Sequence, residues 1–179
     1  MGQVKARHLI YLDACAIIEI LEKRTAEASA LNALLSVAAG NPTHLLTSEL
    51  TLTEVLVEPI RGLMDVTPWQ EGAPFSRDHH DWYLSNLTED SVLIRTVPVV
   101  RSVLTRAALM RARVKSLRAP DAIHTATAYE SGCTHFVTGD ERLVKSIERD
   151  PAWQQALNKF DFVPLEATAI EALIRQFDS

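Results

Sequence analysis

The chain has 179 residues, enough to bury the core of one domain, and its 47% hydrophobic and 23% charged residues exclude wholesale disorder. A net charge of −5 and a pI of 5.7 exclude a protein that coats nucleic acid through bulk charge, although a local basic strip is compatible with them. Two cysteines without a CxxC pair point to reduced thiols and a cytoplasmic setting, and no apolar run is long enough to cross a membrane.

In chain order, His8-Leu9-Ile10-Tyr11-Leu12 is apolar without alternation, which predicts a strand covered on both faces and ending at Asp13. The apolar start of that run is broken by Asp13 and Glu19, so no signal peptide is expected. Ile17, Ile18, Ile20 and Leu21 lead into a helix, and a second helix is expected over 26–39 before Gly40-Asn41-Pro42. His44 to Thr47 predicts another strand, after which Ser48 caps a helix running towards Glu58. Pro68, Gly72 and Pro74 mark the clearest loop, and 78–87 reads as helix. The stretch 62–90 is therefore expected to be an insertion or partner surface within a single domain spanning 1–179.

Leu93 to Val97 is a third strand. The helix after Pro98 carries Val99, Val103, Ala107, Met110, Val114 and Leu117 at intervals of three and four, one buried stripe. A helix opened by Pro120-Asp121 follows, then a strand over Thr134 to Val137 that ends in Thr138-Gly139-Asp140. A helix over 141–149, a short helix near Trp153, an edge strand over Phe160 to Val163 and a closing helix from Glu166 complete the chain. Strands and helices alternate with short connections, which predicts a three-layer α/β/α fold around a short, mostly parallel sheet.

In such a sheet, strand ends and helix starts gather on one edge, where ligands bind. Asp13 and Asp140 follow strands, Asp121 opens a helix, and Glu54 lies in the first turns of another. Each admits a bland reading. Asp121 suits any helix start, Asp13 could end a strand in a turn, and Thr51-Leu52-Thr53-Glu54 and Thr138-Gly139-Asp140-Glu141 both fit a capping box. Together they point elsewhere: clustered carboxylates repel and need a cation, and an all-oxygen donor set suits Mg²⁺ or Mn²⁺. A carboxylate-held ion with open positions implies metal-assisted phosphodiester hydrolysis. Arg101, Arg106, Arg111, Arg113, Lys115 and Arg118 fall in a run without acids, between Asp90 and Asp121. They read either as a solvated helix face or as the cations that hold a polyanionic substrate. Arg111, Lys115 and Arg118 are expected to share one flank of the stripe, and Arg106 and Arg113 the other.

At these residues the sequence resembles the PIN-domain nucleases, and VapC-type toxin ribonucleases in particular. The matching text is Tyr11-Leu12-Asp13, Leu50-Thr51-Leu52-Thr53-Glu54-Val55, Arg118-Ala119-Pro120-Asp121-Ala122-Ile123-His124 and Phe136-Val137-Thr138-Gly139-Asp140. The resemblance implies that Asp13, Glu54, Asp121 and Asp140 bind Mg²⁺ or Mn²⁺, with Thr138 as the hydroxyl neighbour. It further implies an endoribonuclease selective for single-stranded RNA, usually dimeric, and inhibited by a small antitoxin that inserts a segment into the cleft. Ala14 and Cys15 depart from the pattern, which often has Ser or Thr directly after the first Asp, and the gap from Glu54 to Asp121 is longer than usual.

Several other residues bear on the chemistry. His124 is expected to pack in the core rather than act in catalysis, and Asp78-His79-His80-Asp81 to form a solvated face. Trp69, Trp82 and Tyr83 suit base stacking or a protein contact. Glu49 and Glu141 are the substitutes should Glu54 or Asp140 be misassigned. Two rival functions remain: an aspartyl phosphotransferase, disfavoured by Cys15 where a second Asp is wanted, and an RNA-binding or assembly module without strong catalysis. A housekeeping nuclease lacking an antitoxin is the third variant.

Overall fold

Six strands form one sheet in the order β3-β4-β2-β1-β5-β6, and every pairing is parallel. They are β1 (Leu9–Leu12), β2 (His44–Ser48), β3 (Leu87–Thr88), β4 (Ile94–Val97), β5 (His135–Thr138) and β6 (Asp161–Pro164). The computed structural model describes residues 8–40, 44–63, 77–157 and 159–176. The expected loop at 62–74, Gly62 and Leu63 apart, lies outside the described residues, as does Trp69.

The helices are α1 (Ala14–Glu22), α2 (Ala26–Gly40), α3 (Leu50–Val55), α4 (Val57–Leu63), α5 (Arg77–Asn86), α6 (Arg101–Arg113), α7 (Ala119–Glu130), α8 (Glu141–Glu148), α9 (Pro151–Gln154) and α10 (Ala167–Arg175). One sheet face is covered by α1, α2 and α10, whose Ile17, Leu31, Leu34, Ile170 and Leu173 pack on Ile10, Leu12, Leu45 and Val137. The other is covered by α6 to α9, through Val103, Met110, Ala122, Ala126, Leu143 and Trp153 against Tyr11, Leu46 and Phe136. Successive residues of β1 thus feed opposite cores, which is why its sequence does not alternate with polar residues.

Two elements depart from expectation. The helix expected from Ser48 towards Glu58 breaks at Leu56, and Pro59 sits in the first turn of α4, where its missing N–H costs no bond. The periodic helix after Pro98 stops at Arg113, so Val114 to Arg118 form a turn. Its stripe still faces the core, with Val103, Ala107, Met110 and Leu117 buried. Lys115 and Arg118, however, do not continue the flanks of that helix.

Chain order and sheet order give the site its place. From β1 the chain moves to β2 on one side, whereas β5 enters on the other side of β1. The ends of β1 and β5 therefore flank the point where the direction of winding reverses, the usual ligand position in open parallel sheets.

Candidate active site

Asp13, Glu54, Asp121 and Asp140 line one cleft of about 470 Å³, together with Ala14, Cys15, His124, Gly139, Glu141 and Leu143. Asp13 is fixed by the sheet itself: its N–H donates to the Val137 carbonyl at 3.1 Å, extending the β1–β5 ladder one step beyond β1. Its side chain caps α1, Oδ1 accepting from Ala14 N–H at 2.9 Å. Oδ2 accepts the Thr138 hydroxyl at 2.7 Å. Thr138 is thus a hydroxyl neighbour of Asp13, while the residues after Asp13, Ala14 and Cys15, bring none.

Cys15 fills the space beside this pair. Its Sγ lies 3.6 Å from Asp13 Oδ2 and 3.8 Å from Thr138 Oγ1, and accepts the Gly139 N–H at 3.2 Å. Burial and the Asp13 charge push the thiol up to about 12, so it stays protonated and is no nucleophile at neutral pH. Behind the end of β1, buried Thr47 donates to the Leu12 carbonyl at 2.9 Å, and its hydroxyl meets that of Thr51 at 2.7 Å.

Asp140 divides its two oxygens between structure and site. Oδ1 accepts Leu143 N–H at 2.9 Å and caps α8, while Oδ2 takes the Arg142 guanidinium at 3.0 Å. The same Nη2 donates to Asp121 Oδ2 at 2.9 Å, so one arginine joins the acid that opens α7 to the acid that caps α8. Partial burial opposes ionisation of Asp140, yet the Leu143 N–H and Arg142 outweigh it and hold the carboxyl below its ordinary value. Glu54 does not close a capping box: Thr51 lies inside α3, and Ser48 Oγ takes the Leu50 N–H instead. The Glu54 carboxylate meets His124 Nε2 at 2.7 Å. His124 is buried as expected, but it is joined to the cleft rather than only to the core.

The cations named from sequence disperse. Arg113 pairs with buried Asp150 at 2.9 Å, and Arg106 pairs with Glu130 while lying over the Tyr129 ring. Arg111 Nε reaches the Leu117 carbonyl at 3.4 Å. Lys115 sits in the turn before α7 and Arg118 at the α7 N-cap, three positions from Asp121; among the described residues neither takes part in an ion pair. Arg142 was not named from sequence, because nothing but the approach of α8 to α7 turns it towards Asp121.

Tyr83 is buried, its hydroxyl donating to Glu22 at 2.6 Å, and Trp82 packs on the core. Tyr83 is therefore not presented as a stacking platform, whereas Trp82 is half-buried. Asp78 and Asp81 are exposed on α5, but His79 and His80 between them are half-buried, so the expected solvated face holds only for the two acids.

The four acids share a cleft without forming a finished cage. Among the described residues no three His, Cys, Asp or Glu side chains are grouped as around one ion, and Arg142 bridges Asp121 and Asp140. The donor type is nevertheless one that suits a hard cation: five carboxylates line one cavity, of which Asp121 and Asp140 meet Arg142 and the exposed Glu141 meets Lys145.

This chain belongs to the PIN domain family, which matches residues 10–149. Its fold is similar to a chain of VapBC2 from Rickettsia felis, solved bound to a DNA fragment from its promoter. That match has a TM-score of 0.57 at 13% identity, covering 86% of this chain and 96% of that one. A toxin–antitoxin complex from Klebsiella pneumoniae gives 0.52 at 16% identity over 88% and 98%. FitAB bound to an IR36 DNA fragment gives 0.52 at 18% identity over 87% and 94%. No curated protein matches the sequence. Among the described residues no helix is long and apolar enough to cross a membrane.

Proposed function

We propose that the protein is a Mg²⁺- or Mn²⁺-dependent endoribonuclease that cuts single-stranded RNA, and the toxin of a toxin–antitoxin pair. The observation that carries this reading is the meeting of Asp13, Glu54, Asp121 and Asp140 in one cleft at the end of β1 and β5. Membership of a family whose domains are typically nucleases supports it. The toxin–antitoxin setting of similarly folded proteins supports the proposed antitoxin partner. A homodimer in the cytoplasm completes the reading.

Asp13, Asp121, Asp140 and Glu54 would hold the ion. When bound, the ion supplies a Lewis acid for a phosphate oxygen and a water acidic enough to attack phosphorus. The chain itself orients the donors: Thr138 and the Ala14 N–H fix the Asp13 carboxylate, and the Leu143 N–H fixes that of Asp140. Arg142, whose side chain is half-exposed, occupies Oδ2 of both Asp121 and Asp140, so an ion held by those two oxygens would compete with it. For substrate contacts we assign Lys115, Arg118 and Arg111 ahead of Arg106 and Arg113, which are already held in ion pairs.

Purified protein incubated with single-stranded RNA tests this directly. Cleavage is expected with Mn²⁺ or Mg²⁺ and is expected to vanish with EDTA, with Asp13→Asn and with Asp121→Asn. Metal-independent cleavage, or full activity in either variant, contradicts the assignment. The Arg142 bridge favours a second reading, an RNA-binding module without catalysis; RNA binding with no cleavage in Mn²⁺ would select it. Cleavage by a protein whose gene has no antitoxin partner beside it would select a housekeeping nuclease.

A further inference from the structure

We infer that His124 is a positioning residue that sets the Glu54 carboxylate in the cleft, through a buried chain running Tyr11–His124–Glu54. The inference rests on the nuclease reading above and deepens it by adding a residue to the same site.

Glu54 differs from the other three acids. Asp13 and Asp140 are tied to backbone N–H groups at helix starts, and Asp121 is held by Arg142. Glu54 sits on the short α3, and among the described residues its carboxylate has one hydrogen-bond partner, His124 Nε2 at 2.7 Å. Glu has three rotatable side-chain bonds, and a partly exposed carboxylate without a tether samples many rotamers. Its place in the cleft therefore depends on the imidazole.

The imidazole is itself immobile. His124 is buried in α7, and its Nδ1 lies 2.6 Å from the Tyr11 hydroxyl. Tyr11 belongs to the central strand, is fully buried, and stacks on Phe136 at 4.8 Å. An ionised carboxylate only accepts, so Nε2 carries the hydrogen. Burial opposes a charged ring, but Glu54 and the Asp13 and Asp121 charges outweigh it and raise the His124 pKa. Nδ1 accepts from the Tyr11 O–H when the ring is neutral and donates to the Tyr11 oxygen when it is charged, and the Nε2–H bond to Glu54 is the same in both forms. Any buried histidine needs partners for its ring nitrogens, so the links alone do not set this one apart; the identity of the second partner does. Here both ring nitrogens are used, and one of them ends on a side chain lining the cleft, the arrangement by which an outer partner orients a metal-binding carboxylate.

The experiment compares His124→Met, which fills the same space without an N–H, with His124→Gln, which restores one. For RNA cleavage in Mn²⁺, His124→Met is expected to lower kcat about 10–100-fold with KM little changed, and His124→Gln to recover part of the loss. Because His124 acts through Glu54, adding His124→Met to Glu54→Ala should cost nothing further. Losses that multiply in the double variant, or a His124→Met enzyme with wild-type kcat, overturn the proposal. NMR of the metal-free protein supplies a reading independent of activity. The His124 Nε2–H proton should be protected in the wild type and shift or vanish in Glu54→Ala; a resonance indifferent to Glu54 also overturns the proposal. If the wild type cleaves no RNA, the nuclease reading fails and the catalytic consequence fails with it, while the NMR signal still decides whether the tether exists.

Discussion

Asp140 shows one side chain serving two ends. Oδ1 caps α8, so the cap of that helix is Asp140 itself and not Thr138 as a Thr138-to-Glu141 capping box would have it, and Oδ2 faces Arg142. The depressed pKa has a definite sign. A carboxyl whose folded value lies below its unfolded value adds stability that is present above the unfolded pKa, and loses it as pH falls through the folded one. Arg142→Gln should therefore raise the Asp140 pKa towards normal, seen by NMR titration of the carboxyl carbon, and reduce both the stability that Asp140 adds above its unfolded pKa and the acid-side range of pH over which that stability is lost. An unchanged Asp140 titration would show that Arg142 does not hold it. The cysteines give a second residue-scale prediction. Burial pushes both Cys15 and Cys133 up to about 12, so at pH 8 the folded protein should react with thiol reagents about a thousandfold more slowly than a free cysteine. Unfolding in guanidinium should restore ordinary reactivity, and rapid labelling of the native protein would contradict the placement of Cys15. The four acids were legible in sequence because each sits at a strand end or in the opening turns of a helix. The tether of Glu54 was not: periodicity marks His124 as buried, but which groups meet its two nitrogens depends on β1 and α3 coming together with α7.

The run of cations shows what periodicity resolves at the scale of elements and where it stops. The spacing of Val103, Ala107, Met110 and Leu117 gave the buried stripe correctly. It did not reveal that α6 ends at Arg113, because a turn can keep Leu117 buried without being helical. The distinction separates two groups by function. Arg113 and Asp150 link α6 to the start of α9, and Asp150 also caps that helix through Ala152 N–H at 3.1 Å. Removing Arg113 strands a buried carboxylate, so Arg113→Ala is expected to cost about 1–3 kcal/mol in denaturant unfolding. A loss below the error of the measurement would make the pair irrelevant to stability. Lys115→Glu and Arg118→Glu should leave the unfolding midpoint alone and weaken RNA binding. Each should also flatten the dependence of log Kd on log salt by about 0.7 for every phosphate the side chain had neutralised. Binding unchanged across the salt titration would remove this turn from the substrate path. The two-residue β3 escaped sequence reading altogether, being shorter than any alternation can mark.

The parallel α/β architecture of the whole molecule followed from non-alternating apolar runs separated by helical stretches, and the sheet of six parallel strands agrees with it. What such runs do not encode is strand order, which comes from how the helices pack on the two faces. That order places the ends of β1 and β5 side by side and so makes neighbours of Asp13 and Thr138, far apart in sequence. The acids accordingly share a cleft, in which Arg142 joins Asp121 and Asp140. Mn²⁺ titration of the metal-free protein, followed by electron paramagnetic resonance of the free ion, tests most directly whether this cleft is a cation site. One ion bound per chain in the wild type, with binding lost in Asp13→Asn and in Asp121→Asn, is the predicted result. A wild type that takes up no Mn²⁺, or variants that bind it as the wild type does, would contradict the account.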